Sequence, residues 1–292
     1  AGTAAAATTD AITSVSLTGI TTTGTLTSDA LTSLTLKNVA GLVTNTDGYV
    51  AATDARELTV SHNGGTNGGA IDAGATTVNV NIDAATTAAG TNTFAVATTL
   101  NVDVNAALTA GTIVAASATD VNVNFDAAVT ASTITTAAAT TIDYTGTANA
   151  VVTQSGAAAA VITNSGSGNL TLNTAIAAGQ TYTGGSGVDT VSFAATGTTA
   201  SSLGAGDDVA TFAAVAGAGG SVDGGVGEDT VSLTTALGVS LSAAATFEAD
   251  IANFEVVSLG AIAAAFTVNT VSLANLDDIN SVKLAGAADN TQ

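Results

Sequence analysis

The chain has 292 residues, 46% of them apolar but only 3% aromatic and 9% charged, so a thin core lined by Val, Ile, Leu and Ala suits it better than a compact globular one. Its formal net charge is −20, and Lys37, Arg56 and Lys283 are its only Lys or Arg residues. That balance excludes nucleic acid as a partner, because nothing could neutralise the phosphates. Cysteine is absent, which removes disulfides, thiol catalysis and zinc–thiolate sites together.

Short alternating strands are predicted from the N-terminus onward. They begin near Val15, Leu34, Leu58, Val78, Leu100, Val121 and Ile142, roughly 19 to 24 residues apart. Val78, Val80 and Ile82 and their equivalents face a core. A second strand per coil is predicted around Thr93-Phe94-Ala95-Val96, Thr112-Ile113-Val114 and Thr133-Ile134-Thr135. Repeats of this length mean a solenoid, and about 14 coils would make a rod ~65 to 70 Å long at ~4.8 Å per strand. The fold class expected is all-β, an elongated right-handed parallel β-solenoid or β-roll of roughly 20-residue coils.

Residues 64–72 look like a decayed Gly-rich turn, and His62 beside them reads as a surface turn residue. Asn79, Asn81, Asp83; Asn101, Asp103, Asn105; and Asn122, Asn124, Asp126 should stack as an outward polar face. The Thr pairs at 76–77, 98–99 and 140–141 drift in spacing, which disfavours a flat ice-binding face.

The organising stretch spans residues 182–233. Gly184-Gly185-Ser186-Gly187-Val188-Asp189-Thr190-Val191-Ser192 and Gly224-Gly225-Val226-Gly227-Glu228-Asp229-Thr230-Val231-Ser232 both fit the nonapeptide G-G-x-G-x-D-x-U-x, with U a large apolar residue. Leu203-Gly204-Ala205-Gly206-Asp207-Asp208-Val209-Ala210-Thr211 is an imperfect copy, with Leu203 for the first Gly and Ala210 for the large apolar residue. The copies recur about every 20 residues, so their Gly-Asp turns share one edge of the coil. Two Asp carboxylates one strand spacing apart repel by roughly 3 to 4 kcal/mol at an effective dielectric of ~20. Ca²⁺ reverses that sign and accepts an irregular shell of oxygens.

These copies resemble the RTX calcium-binding β-roll family, exported from Gram-negative bacteria by type I secretion. The resemblance implies side-chain ligands at Asp189, Asp208 and Asp229, with carbonyls from Gly185, Gly187, Gly204, Gly206, Gly225 and Gly227. Further on, Ile251, Phe254, Glu255, Val257 and Leu259 are similar to the I-x-x-F-E-x-V-x-L segments that follow RTX repeats in surface-layer proteins and large adhesins. A short helix or turn is expected at 246–252, strands at 255–259, 268–273 and 282–284, and a turn at 275–280. Three segments result: irregular solenoid coils over 1–180, the RTX β-roll over 181–240, and a cap over 241–292.

No G-x-S-x-G elbow, H-E-x-x-H pair or P-loop occurs, and the chain has one His, so no enzyme is expected. No run reaches the ~18 to 20 apolar residues of a membrane helix, and the N-terminus is no signal peptide. Without Met at residue 1, the chain reads as a fragment or a processed product. The resemblance then implies an extracellular, calcium-dependent surface-layer protein that self-assembles on the cell, with a cell-surface polysaccharide as a further partner. An RTX adhesin or other extracellular binding module is the alternative, and a non-catalytic C-terminal module of a secreted enzyme a third reading.

Overall fold

The computed structural model describes residues 12–46, 55–194, 199–213, 220–242, 250–260 and 278–284. The chain divides into two compact units, Ala1–Ala157 and Ala158–Gln292. Both are parallel β-solenoids. The described residues make about 11 turns in all rather than 14, in part because some coils are long. Leu34 pairs with Val60 and Val231 with Val257, each 26 residues on, whereas Leu100 pairs with Val121 only 21 on.

In the first unit one sheet stacks Ser14–Thr18, Ser33–Lys37, Glu57–Thr66, the start of Thr77–Phe94, Thr99–Val104, Asp120–Phe125 and Thr141–Gly146. Each strand carries β-branched or long apolar residues at every second position; from Ser33–Lys37 onward these are buried, while Val15 and Leu17 on the first rung are half-buried. Val78, Val80 and Ile82 align with Leu100, Val102 and Val104, and then with Val121, Val123 and Phe125, all of them buried. Burying one such side chain stabilises by about 1.5 to 3 kcal/mol, and Phe125 stacks on Tyr144 with ring centroids 6.0 Å apart. The other strand of each coil forms a second parallel ladder. Leu108–Val114, Val129–Thr135 and Ala150–Ser155 belong to it. The strands predicted from alternation in this unit are present, except that the one expected over 93–96 ends at Phe94, with Ala95 and Val96 in the following turn.

The same parity rule corrects the reading of His62. It follows Leu58 and Val60 on the inward side, pairs with Leu36 and Ile82, and is fully buried. Its Nε2 lies 3.2 Å from Asn92 Oδ1, its Nδ1 has no partner, and burial lowers its pKa to about 4. The Gly-rich turn beside it builds no ion site around Asp72. That carboxylate is already held by Arg56 Nη2 at 2.7 Å, Asn45 Nδ2 at 2.7 Å and the N–H groups of Gly74 and Ala75.

The second unit stacks Leu170–Ile176, Asp189–Phe193, Val209–Phe212, Thr230–Leu233, Val256–Leu259 and Ser281–Leu284. Val161–Asn164, Thr181–Thr183, Ala200–Ser202, Ser221–Asp223 and Ile251–Ala252 form its other ladder. Phe193 and Phe212 stack at 5.3 Å. A helix not expected from the sequence occupies Thr235–Ser242; of the helix or turn expected at 246–252, Asp250 is helical and Ile251–Ala252 is strand. Thr234 caps that helix, its Oγ1 accepting the Leu237 N–H at 3.2 Å. The expected strand at 268–273 and parts of the expected elements at 246–252 and 275–280 lie outside the described residues.

Candidate metal centre

In each motif copy the turn ends where the inward-facing strand begins, so its Asp is the first inward residue of the rung. Asp189, Asp208 and Asp229 are all fully buried inside the coil. They form one ladder. Asp189 N donates to Asp208 Oδ1 at 2.6 Å, Asp208 N donates to Asp229 Oδ1 at 2.7 Å, and Asp229 N donates to Glu255 Oε2 at 2.7 Å. Asp208, Asp229 and Glu255 thus each accept the backbone N–H of the acid one coil earlier.

The ladder ends differently at its two extremities. Asp189 accepts Tyr182 Oη at 2.7 Å and Asn164 Nδ2 at 2.9 and 3.2 Å. Asp208 and Asp229 are poorer in donors: Oδ2 of each is buried and has no hydrogen-bond partner. Leaving a charged acceptor buried and unmatched costs several kcal/mol. Burial is the main cause that raises the pKa of all three, to about 7 for Asp208 and about 6 for Asp229. Carboxylates above and below add to the shift of these two.

No basic side chain answers this charge. Lys283 is the only Lys or Arg in residues 158–292. It sits 3.9 Å from Glu228, both of them exposed, an arrangement worth little.

The motif glycines stand in two columns. A Cβ at Gly185, Gly204 or Gly225 would lie 2.2, 2.3 or 2.0 Å from the carbonyl oxygen of Gly166, Gly185 or Gly204. At Gly187, Gly206 and Gly227 it would meet the oxygens of Gly168, Gly187 and Gly206 at 2.4, 2.7 and 1.8 Å. Only glycine lets the coils close to this distance. Gly204, Gly206 and Gly225 also adopt φ of +99°, +134° and +102°, which L side chains avoid. The carbonyls of Gly185 and Gly204 each accept one N–H, from Ala205 at 2.8 Å and Val226 at 2.9 Å, and keep a second lone pair. The backbone of Gly224 lies against the orphan oxygen, since a Cβ there would be 3.0 Å from Asp229 Oδ2.

These residues fit a hard cation at Asp208 and Asp229. Two unmatched carboxylate oxygens and a wall of glycine backbone supply oxygen donors of the type Ca²⁺ takes. Among the described residues no three Asp, Glu or His side chains converge on one point, so backbone carbonyls or water would have to complete any such shell.

Sequence reasoning placed all nine predicted residues on this one edge, but it missed Asn164, Tyr182 and the ladder role of Glu255. Ser165-Gly166-Ser167-Gly168, 19 residues before Gly184-Gly185-Ser186-Gly187, is the signal that could have shown an extra coil. Leu170 stands there where the other copies have Asp, as its pairing with Asp189 shows. The two departures of the middle copy are accommodated, with Leu203 and Ala210 both buried in the core.

On the first unit the outward polar row is real. Asn79, Asn101, Asn122 and Asp143 share one register line, and Asn81, Asp103, Asn124 and Thr145 the next. Asn101 donates to Asn79 at 2.8 Å and Asn122 to Asn101 at 3.0 Å, an amide ladder lining a groove of about 280 Å³.

No protein-family model matches the chain, and no curated protein matches it either. Among the described residues no helix is long and apolar enough to cross a membrane.

Proposed function

We propose that this chain is a non-enzymatic, calcium-dependent structural protein of a bacterial cell surface, exported by the RTX route and assembling with its own copies into a surface layer. The observation that carries the reading is the buried carboxylate ladder, in which Oδ2 of both Asp208 and Asp229 goes unmatched and no basic side chain is near. A ladder of that kind gains most from a divalent cation. Extracellular modules hold calcium at about 10⁻⁴ to 10⁻³ M, so export into a calcium-rich medium would itself order the coils. The net charge of −20 supports the same reading, because calcium would lower the repulsion between neighbouring copies.

A second reading, an adhesin or other extracellular binding module, is favoured by the polar groove over Asn79, Asn101 and Asn122. Chelation separates ladder-based order from a calcium-independent fold. Adding EDTA is expected to lower the β-signal of the second unit in circular dichroism and to disperse ordered sheets in electron micrographs. Sheets that persist unchanged in EDTA would refute the calcium dependence, and isolated particles in calcium would favour the binding module.

A further inference from the structure

The three acids of the ladder are not equivalent, and the difference deepens the calcium reading on which it rests. We propose that the cation is held at Asp208 and Asp229 alone, and that Asn164 and Tyr182 form a built-in hydrogen-bond cap that takes its place at Asp189.

In Asp189 both oxygens are taken: Tyr182 Oη donates to Oδ2 at 2.7 Å and Asn164 Nδ2 to Oδ1 at 2.9 Å. A cation could reach either oxygen only by displacing one of these donors, which would then lie unmatched in the interior. Asp208 and Asp229 each take up one oxygen on a backbone N–H and leave the other bare.

The pattern follows from which residues occupy equivalent places in successive coils. Thr163 pairs with Thr183, and Thr183 with Ser202. One step beyond these pairs, Asn164 is followed coil by coil by Gly184 and Leu203, neither of which has a side-chain donor. One step before them, Tyr182 is followed by Ser201, which pairs with Val222. Ser201 Oγ accepts the Tyr182 N–H at 3.0 Å. The donors therefore serve the first rung only. Leu170 begins the coil before it with no acid to stack, so the ladder must close at Asp189. The cap closes it without a metal.

The test is calcium binding to the full chain by titration calorimetry, with calcium alone as the probe, in the parent and in Asp189→Asn, Tyr182→Phe, Asp208→Asn and Asp229→Asn. Asp208→Asn and Asp229→Asn are expected to weaken calcium at least about a hundredfold, since each removes a direct charged ligand. Asp189→Asn should weaken it by no more than about tenfold, the effect of losing one nearby charge. Tyr182→Phe keeps the ring and drops the hydroxyl; it should lower the stability of the calcium-free and calcium-loaded chains alike and leave affinity within about threefold. A loss in Asp189→Asn as large as in Asp208→Asn, or a hundredfold loss in Tyr182→Phe, would overturn the assignment while leaving the calcium reading intact. A parent chain that binds no calcium would overturn both.

Discussion

Replacing Gly227 with Ala is expected to destabilise the second unit by at least about 4 kcal/mol, the extreme of single-residue effects. The added Cβ would sit 1.8 Å from the Gly206 carbonyl oxygen, about half an ordinary contact distance. That oxygen belongs to the coil before and cannot move alone. The same turn is pinned by Gly206 N–H donating to Val226 O at 2.9 Å and Val226 N–H donating to Gly204 O at 2.9 Å. Parting the coils would break both bonds and spread the strands beyond their ~4.8 Å spacing. Gly260→Ala is the control in the same unit, because its Cβ would meet nothing closer than the Thr234 Cα at 3.6 Å. That change should stay within about 0.5 kcal/mol. Urea unfolding followed by circular dichroism measures both, and equal losses would show that the glycine columns are not close-packed.

In a chelator the two units should respond to acid in opposite directions. The pKa values of Asp208 and Asp229 stand at about 7 and about 6 in the fold, above the ordinary 3.8. The folded second unit therefore binds more protons than the unfolded chain. Its stability is highest below the unfolded pKa and is lost as pH rises through 6 to 7, the two acids titrating as a coupled pair. His62 behaves in the reverse sense. Its pKa drops from 6.5 to about 4, so the stability of the first unit is intact above pH 6.5 and is lost as pH falls toward 4, by about 3 kcal/mol. Calcium should erase the trend of the second unit, because cation and proton compete for the same oxygens, and leave that of the first unit unchanged. Hydrogen exchange read separately on the two units, with and without calcium, checks the signs. A second unit that weakens in acid without calcium would contradict the ladder electrostatics.

Much of this was legible in the sequence because a solenoid repeats a local rule. Alternation placed Val78, Leu100, Val121 and Ile142 on one inward face, and the structure stacks them in register. The repeated nonapeptide put Asp189, Asp208 and Asp229 on one edge, since motif copies a whole coil apart must stack. The same rule, applied strictly, would have buried His62; its Gly-rich neighbours suggested a turn instead. Asn164 and Tyr182 were harder to see. Their bonds to Asp189 span 25 and 7 residues and exist only once the coil has closed. The helix at Thr235–Ser242 was hidden because Leu237, Val239 and Leu241 alternate like a strand and Gly238 lowers helix propensity by about 1 kcal/mol. Its signal was the Thr234 cap. Glu255 was noticed through resemblance alone, and its physical role, accepting the Asp229 N–H, shows only in three dimensions.

Anomalous X-ray scattering from crystals grown in calcium addresses the central claim most directly. A single peak within bonding distance of Asp208 Oδ2 and Asp229 Oδ2, with none against Asp189, is the predicted result. A map with no peak along the ladder, its carboxylates still stacked, would contradict it.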